Sequence, residues 1–241
     1  MTDQPVVPEA NAGNASDLDH LIGAITSPTR TFESIARKPT WLLPLVLLAL
    51  LGAAAVWSLY SKVDASEFLS YLEARGQSLP ASVSGEQVLG WTRVSSIVGA
   101  AIFGPVTYLV VAGLFLMLFR MGGGTLDFKR SLSVTVHGFL PFGIAAMVGM
   151  ALATFRETIS MREIESGGLV PSNLAVFLGD DASGVVRAIA SSVDLFSVWC
   201  IVLLAIGYSI VAKVDRGKAY GFVGLVWGFG ILVKVALSAL R

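Results

Sequence analysis

Residues 41–60 read WLLPLVLLALLGAAAVWSLY, twenty positions without a charge. An α-helix needs about 17–25 mostly apolar residues to cross a hydrocarbon core, so this stretch reads as a membrane span. Four further apolar runs follow, at residues 94–118, 134–153, 196–211 and 221–240. The fourth is short unless residues 191–195 join it. Together they predict an all-α membrane protein: a five-span transmembrane helical bundle over residues 41–241, with short interfacial amphipathic helices.

Composition agrees. Of the 241 residues, 54% are hydrophobic and only 14% charged, against about 25% charged in soluble domains. The formal charge of zero gives no reason to expect nucleic acid as a partner. One cysteine, Cys200, excludes an intrachain disulfide, and two histidines, His20 and His137, are too few for a histidine-built metal site. Asp180 and Asp181 are adjacent carboxylates at a turn and read as solvated rather than metal-binding. No cofactor is expected. Residues 1–20 carry Asp3, Glu9, Asp17 and Asp19 where a signal peptide has a basic start. The first span is therefore expected to be retained.

Outward from the first span, residues 1–16 read as a disordered cytoplasmic tail, too poor in apolar surface to offset ordering entropy. Residues 17–40 read as an interfacial amphipathic segment. Leu21, Ile22 and Ile25, then Phe32 and Ile35, recur at helical spacing, and Ser27-Pro28 is a helix start signal. Two placements fit it: apolar face in lipid with Arg30, Arg37 and Lys38 toward headgroups, or packing on the cytoplasmic end of the bundle. Asp64-Ala65-Ser66-Glu67 and Ser84-Gly85-Glu86-Gln87 resemble capping boxes. The second would begin a helix of about 55 Å if it ran to Arg120. Glycines 122–124 form a turn, without the Gly-Lys-Ser/Thr of a phosphate loop. Leu126, Phe128 and Leu132 suggest a short interfacial helix before the third span. Residues 156–192 read as two short helices hinged at Gly179-Asp180-Asp181.

Basic residues set the expected orientation. With the N-terminus inside, nine fall on cytoplasmic segments and seven in the longer opposite loops, and Lys213, Arg216 and Lys218 crowd six positions. The N-terminus is placed in the cytoplasm and the C-terminus outside, in the inner membrane of a bacterium.

Ionisable residues inside spans are functional suspects because burying them in lipid is costly. Asp194 and Lys234 are the candidates, at heights that allow an ion pair near the outer leaflet. The pair reads either as structure or as a coupling site for a proton or polar solute. His137, at the start of the third span, is a weaker candidate for a relay. Pro44, Pro105 and Pro141 are expected to kink their spans. Small residues recur every fourth position at Ser96, Ala100 and Gly104, at Ala145, Gly149 and Ala153, and at Gly224 and Gly228. Such faces permit close helix approach, in this bundle, a homo-oligomer or a complex with another membrane protein. No Gly-x-Ser-x-Gly, His-Glu-x-x-His or Cys-x-x-Cys motif is present, so no catalytic residue is assigned and no enzyme is expected.

Several of these residues fall in an order that resembles a known family. Ser27-Pro28, Phe32, Ile35, Pro39-Thr40-Trp41 and Pro44 look like the opening of the Yip family of membrane proteins. The glycine turn before Phe128, Leu140-Pro141 and Val193-Asp194-Leu195-Phe196-Ser197-Val198-Trp199 are similar to its later motifs, as is Lys218-Ala219. The resemblance implies a five-span bundle with its N-terminus inside. Eukaryotic relatives associate with one another and with prenylated Rab-type GTPases. This chain lacks their Asp-Leu-Tyr-Gly-Pro run and looks like a prokaryotic member. Pro28, Phe32, Pro141, Asp194, Trp199 and Lys218 are the positions the resemblance singles out. The expected function is a non-enzymatic membrane-organising scaffold or partner-binding component in the lipid bilayer. The alternative is a transporter or channel for a small solute or lipid, using Asp194 and Lys234.

Overall fold

A computed structural model describes residues 16–77, 79–80, 82–165, 169–179 and 182–239. The expected tail at 1–15 and the Asp180-Asp181 pair lie outside the described residues. Those residues form eleven α-helices and no strand. Two short helices, α1 (Asp17–Thr26) and α2 (Pro28–Arg37), precede α3 (Leu42–Tyr60), α4 (Ala65–Ala74) and the long α5 (Gly85–Met121). Then come α6 (Phe128–Gly138), α7 (Leu140–Thr154), α8 (Met161–Glu165), a 3-10 turn at Leu174–Phe177, α9 (Gly184–Ala190), α10 (Leu195–Val211) and α11 (Arg216–Ala239). Four of these stretches are long and apolar enough to cross a membrane: Leu42–Tyr60, Gly85–Met121, Phe128–Thr154 and Arg216–Leu237. The remaining apolar helix, α10, the fourth in chain order, has 17 residues. Asp194 caps it, so residues 191–194 do not lengthen it.

Local chemistry sets the helix ends. Ser84 and Gln87 exchange both hydrogen bonds of a capping box at the start of α5. Asp64 caps α4 through the Ser66 and Glu67 amides, while the Glu67 carboxylate accepts from Met161 N instead of closing the box. Gly76, at φ 71°, takes the left-handed turn that ends α4. From Gly85 to Met121, α5 is 37 residues long, about 55 Å at 1.5 Å per residue, and it passes through Pro105 unbroken. Of the three expected proline kinks, only Pro141 lies at an interruption, just past the break at Phe139 between α6 and α7. Pro44 and Pro141 fall in the first turns of α3 and α7, where an N–H has no intrahelical partner to lose.

Hydrogen bonds between distant segments gather at two ends of the bundle. At one, Arg130 Nε donates to Ala36 O, Thr125 N to Ala212 O, and Lys218 Nζ to Gly122 O. At the other, Ile159 N donates to Lys62 O, Arg93 to Tyr60 O, and Arg75 pairs with Glu165. The first three apolar stretches run from one set to the other, while α10 and α11 enter the first set at Ala212 and Lys218 and meet at their far ends, where Lys234 donates to Ser191 and Ser192.

The core lies toward the first end. Phe32 and Ile35 of α2, Phe115 and Phe119 of α5, Val134 of α6, and Leu203, Leu204 and Tyr208 of α10 are buried together. The apolar face of α2 is thus turned into the bundle against α10, so that of the two placements its sequence allows the packed one is found. The cause is volume: Gly207 leaves α10 a notch that Phe32 fills, and a Cβ there would come within 2.9 Å of the ring. On α1 the picture differs, with Leu18 and Ile22 exposed.

The third span also departs from expectation. In place of an interfacial helix and then a span, α6 is continuous with the buried part of the bundle, and every residue from Ser131 to Gly138 is buried. Of the three expected small-residue faces, that of Ala145, Gly149 and Ala153 is in contact, with Ala153 fully buried and a Cβ on Gly149 reaching Val170 at 3.7 Å, and the other two are open. A Cβ on Gly104, Gly224 or Gly228 would meet nothing within 4 Å. Close approaches to α10 are at Gly138, where a Cβ would fall 2.4 Å from a Leu204 methyl, and on α10 itself at Gly207.

Candidate functional site: a cavity at the head of the fourth apolar helix

Asp194 is held by backbone before its side chain acts. An antiparallel bridge joins it to Asn173, with Leu174 N donating to Val193 O and Leu195 N to Ser172 O. Its carboxylate then receives Phe196 N at 2.8 Å, Ser197 N at 3.0 Å and the Ser197 hydroxyl. An acidic N-cap satisfies orphan N–H groups and sits well at the positive end of the helix dipole. Asp194 is therefore engaged by its own helix.

Lys234 reaches the same place from α11. Its Nζ donates to Ser191 Oγ at 2.8 Å and Ser192 Oγ at 3.2 Å, both just past the end of α9. Both hydroxyls in turn donate to Ala188 O. None of the three ion pairs among the described residues joins Asp194 to Lys234. The structure brings the two into one cavity but gives each its own partners, which corrects the direct ion pair.

That cavity, about 410 Å³, is walled by Phe115, Phe139, Phe142, Leu204 and Trp227 and rimmed by Ser191, Ser192, Asp194 and Lys234. Gly230 and Lys234 are exposed, so it opens along α11. A second cavity of about 270 Å³ lies between α3, α7 and residues 169–173, and shares Phe142, Ser191 and Asp194 with the first. The arrangement can hold an apolar body beside a polar group.

The family positions serve other ends. Pro28 opens α2 at its first position and Phe32 fills the Gly207 notch. Pro141 is buried at the start of α7, and Trp199 packs half-buried on the main core. Lys218 donates to Gly122 O at 3.1 Å, tying α11 to the glycine turn at the end opposite Asp194.

One buried set was singled out from the sequence only at His137. Tyr208, fully buried between Phe115 and Phe119, shares its hydroxyl with Ser131 at 2.9 Å and Thr135 at 2.8 Å. His20 bonds Thr40 Oγ1 at 2.8 Å and Ser34 Oγ at 2.9 Å. Its ring meets the His137 ring edge-on, centroids 6.2 Å apart. Burial holds the His20 imidazole below its ordinary pKa, with Asp17 and Asp19 opposing the shift. His137 Nδ1 bonds Ser133 O at 2.8 Å. The available signal was the spacing of Ser131 with Thr135 and Ser133 with His137, two i,i+4 polar stripes on one helix.

An all-helical chain with several apolar helices and this buried polar packing defines a multi-pass membrane protein. The chain belongs to the Yip1 domain family, whose model matches residues 22–237. It is similar to Membrane protein YknW of Bacillus subtilis, 27% identical over 232 residues that cover 95% of this chain and 93% of that protein. It is also similar to Uncharacterized protein MJ0794 of Methanocaldococcus jannaschii, 26% identical over 147 residues, 61% of this chain and 97% of that protein. No solved structure matches it.

Proposed function

We propose that this protein is a non-enzymatic, partner-binding or membrane-organising component of a bacterial inner membrane. It crosses the bilayer five times, with α1 and α2 on the cytoplasmic side and the Asp194 cavity toward the outside. Five crossings are supported by the course of α10, which runs from Ala212, bonded to Thr125 N in the first set, to Asp194, which lines one cavity with Leu59 at the far end of α3. Its 17 residues are at the lower limit for a span, about 17. Similarity over 95% of the chain to a bacterial membrane protein supports the location.

The observation that carries the reading is the closed centre of the bundle. A solute path needs polar groups that water can reach. Here the interior hydroxyls of Ser131, Thr135 and Tyr208 bond one another, and the Phe115, Phe119 and Phe222 rings seal them. A component that binds partners within the membrane needs no such path. Pure protein in liposomes is expected to give ion and small-solute flux at the protein-free background. Pull-down of the solubilised protein is expected to retain a specific membrane-protein partner or a second copy. Saturable flux that disappears in Asp194→Asn would establish the transporter alternative instead.

A further inference from the structure

The cavity along α11 joins an apolar floor to a charged rim. Phe115, Phe139 and Trp227 contribute the floor, and Lys234 is the sole cation on the rim. An ammonium has three N–H donors, and two of those on Lys234 go to Ser191 and Ser192. No carboxylate of the described residues lies within ion-pair distance of it. The one anion on the rim, Asp194, already receives two amides and a hydroxyl from α10. A lysine in an apolar surround without a contacting counter-ion is costly, and an anion placed beside it removes much of that cost.

The second cavity completes the shape. Leu59, Ala146 and Met150 line it, and it meets the first at Ser191 and Asp194. Two apolar furrows thus converge on one polar node. Each is at or near the small end of ligand pockets, which run from roughly 300 to 1,000 Å³, so each suits a single hydrocarbon chain. Basic pockets between membrane helices are a recurrent way to hold anionic headgroups. We propose that the paired cavities bind one two-chain anionic phospholipid, a chain in each furrow and the phosphate against Lys234. This goes beyond the partner-binding reading and does not depend on it.

Gly230 supplies a clean test. It lies on the cavity lining, and a Cβ there would meet nothing within 4 Å. Gly230→Leu therefore adds an apolar side chain to the first furrow from a position whose Cβ is unobstructed, and leucine favours the helix more than glycine does. Delipidated protein is titrated with phosphatidylglycerol, phosphatidylethanolamine or lysophosphatidylglycerol, and bound lipid is counted by native mass spectrometry. The wild type is expected to retain one phosphatidylglycerol, about tenfold more tightly than either of the other lipids. Lys234→Met should lower phosphatidylglycerol affinity to the phosphatidylethanolamine level. Gly230→Leu should abolish the retained lipid at unchanged melting temperature. A bound lipid that survives Gly230→Leu, a preference that survives Lys234→Met, or a one-chain lipid that binds as tightly would each overturn the proposal.

Discussion

His20 sits only four residues after the N-cap of α1, yet it is 2% exposed and hydrogen-bonded through both ring nitrogens. Charging such a ring means solvating an ion inside the protein, so burial holds its pKa below the ordinary 6.5. In the unfolded chain the same ring takes up a proton near its ordinary value. The unfolded state then binds more protons as pH falls below about 6.5, and stability drops with it. Above that value the neutral ring is present in both states and the contribution is complete. The melting temperature in detergent is expected to fall as pH is lowered from 6.5 toward the depressed folded value. His20→Gln, which keeps an amide to bond Thr40 and Ser34, should reduce that slope, the remainder belonging to other buried groups such as the neighbouring His137 ring. An unchanged slope in the variant would show that another group sets it. None of this was legible from composition, which counted two histidines too few for a metal and stopped there. The partners Thr40 and Ser34 lie 20 and 14 positions away, and only the fold brings them together. Asp194 was legible as unusual but not in its role. A carboxylate three positions before Ser197 at the head of an apolar run is an N-cap signal, and cost in lipid drew the reading toward an ion pair instead.

At the scale of elements, α10 decides the packing, because α2, α6, α7 and α11 all meet it. Its approach to α2 and α6 is set by Gly207, where a Cβ would lie 2.7 Å from Val134 and 2.9 Å from Phe32. Both neighbours are fully buried and have nowhere to retreat. Gly207→Ala should destabilise by about 1–3 kcal/mol through overpacking. Gly228→Ala, with open space around its Cβ, should be neutral or stabilising by up to about 1 kcal/mol from helix propensity. Thermal unfolding of both variants checks the contrast, and equal losses would contradict the packing. The sequence could not separate these two glycines, since both stand in apolar helices with small neighbours. Helix existence was legible for all five runs because length and apolarity suffice. The amphipathic pattern of α2 was legible as well. What its apolar face would meet was not, since periodicity marks a buried face without naming its partner.

For the whole molecule, the two ends differ in kind. One gathers α1, α2, the glycine turn and Lys218; the other gathers α4, α8, α9 and the Asp194 cavity. The proposed orientation places the first in the cytoplasm, and it rests on the density of basic residues between 213 and 218. Cys200 is fully buried, so Cys200→Ala gives a silent background. Single cysteines at Gln77 and Ser172 should react with an impermeant maleimide in intact cells, and one at Ser16 should react only after permeabilisation. The reverse pattern would invert the molecule.

The seating of Phe32 beneath Gly207 also sets an order of events during synthesis. The two positions are separated by some 175 residues. At roughly 5–20 residues per second, the ribosome needs on the order of ten to thirty seconds to supply the second after the first. Throughout that interval the apolar side of α2 has no seat, and the membrane surface or an insertion factor must shelter it. α2, made well before α10, is therefore among the last helices to reach its final place.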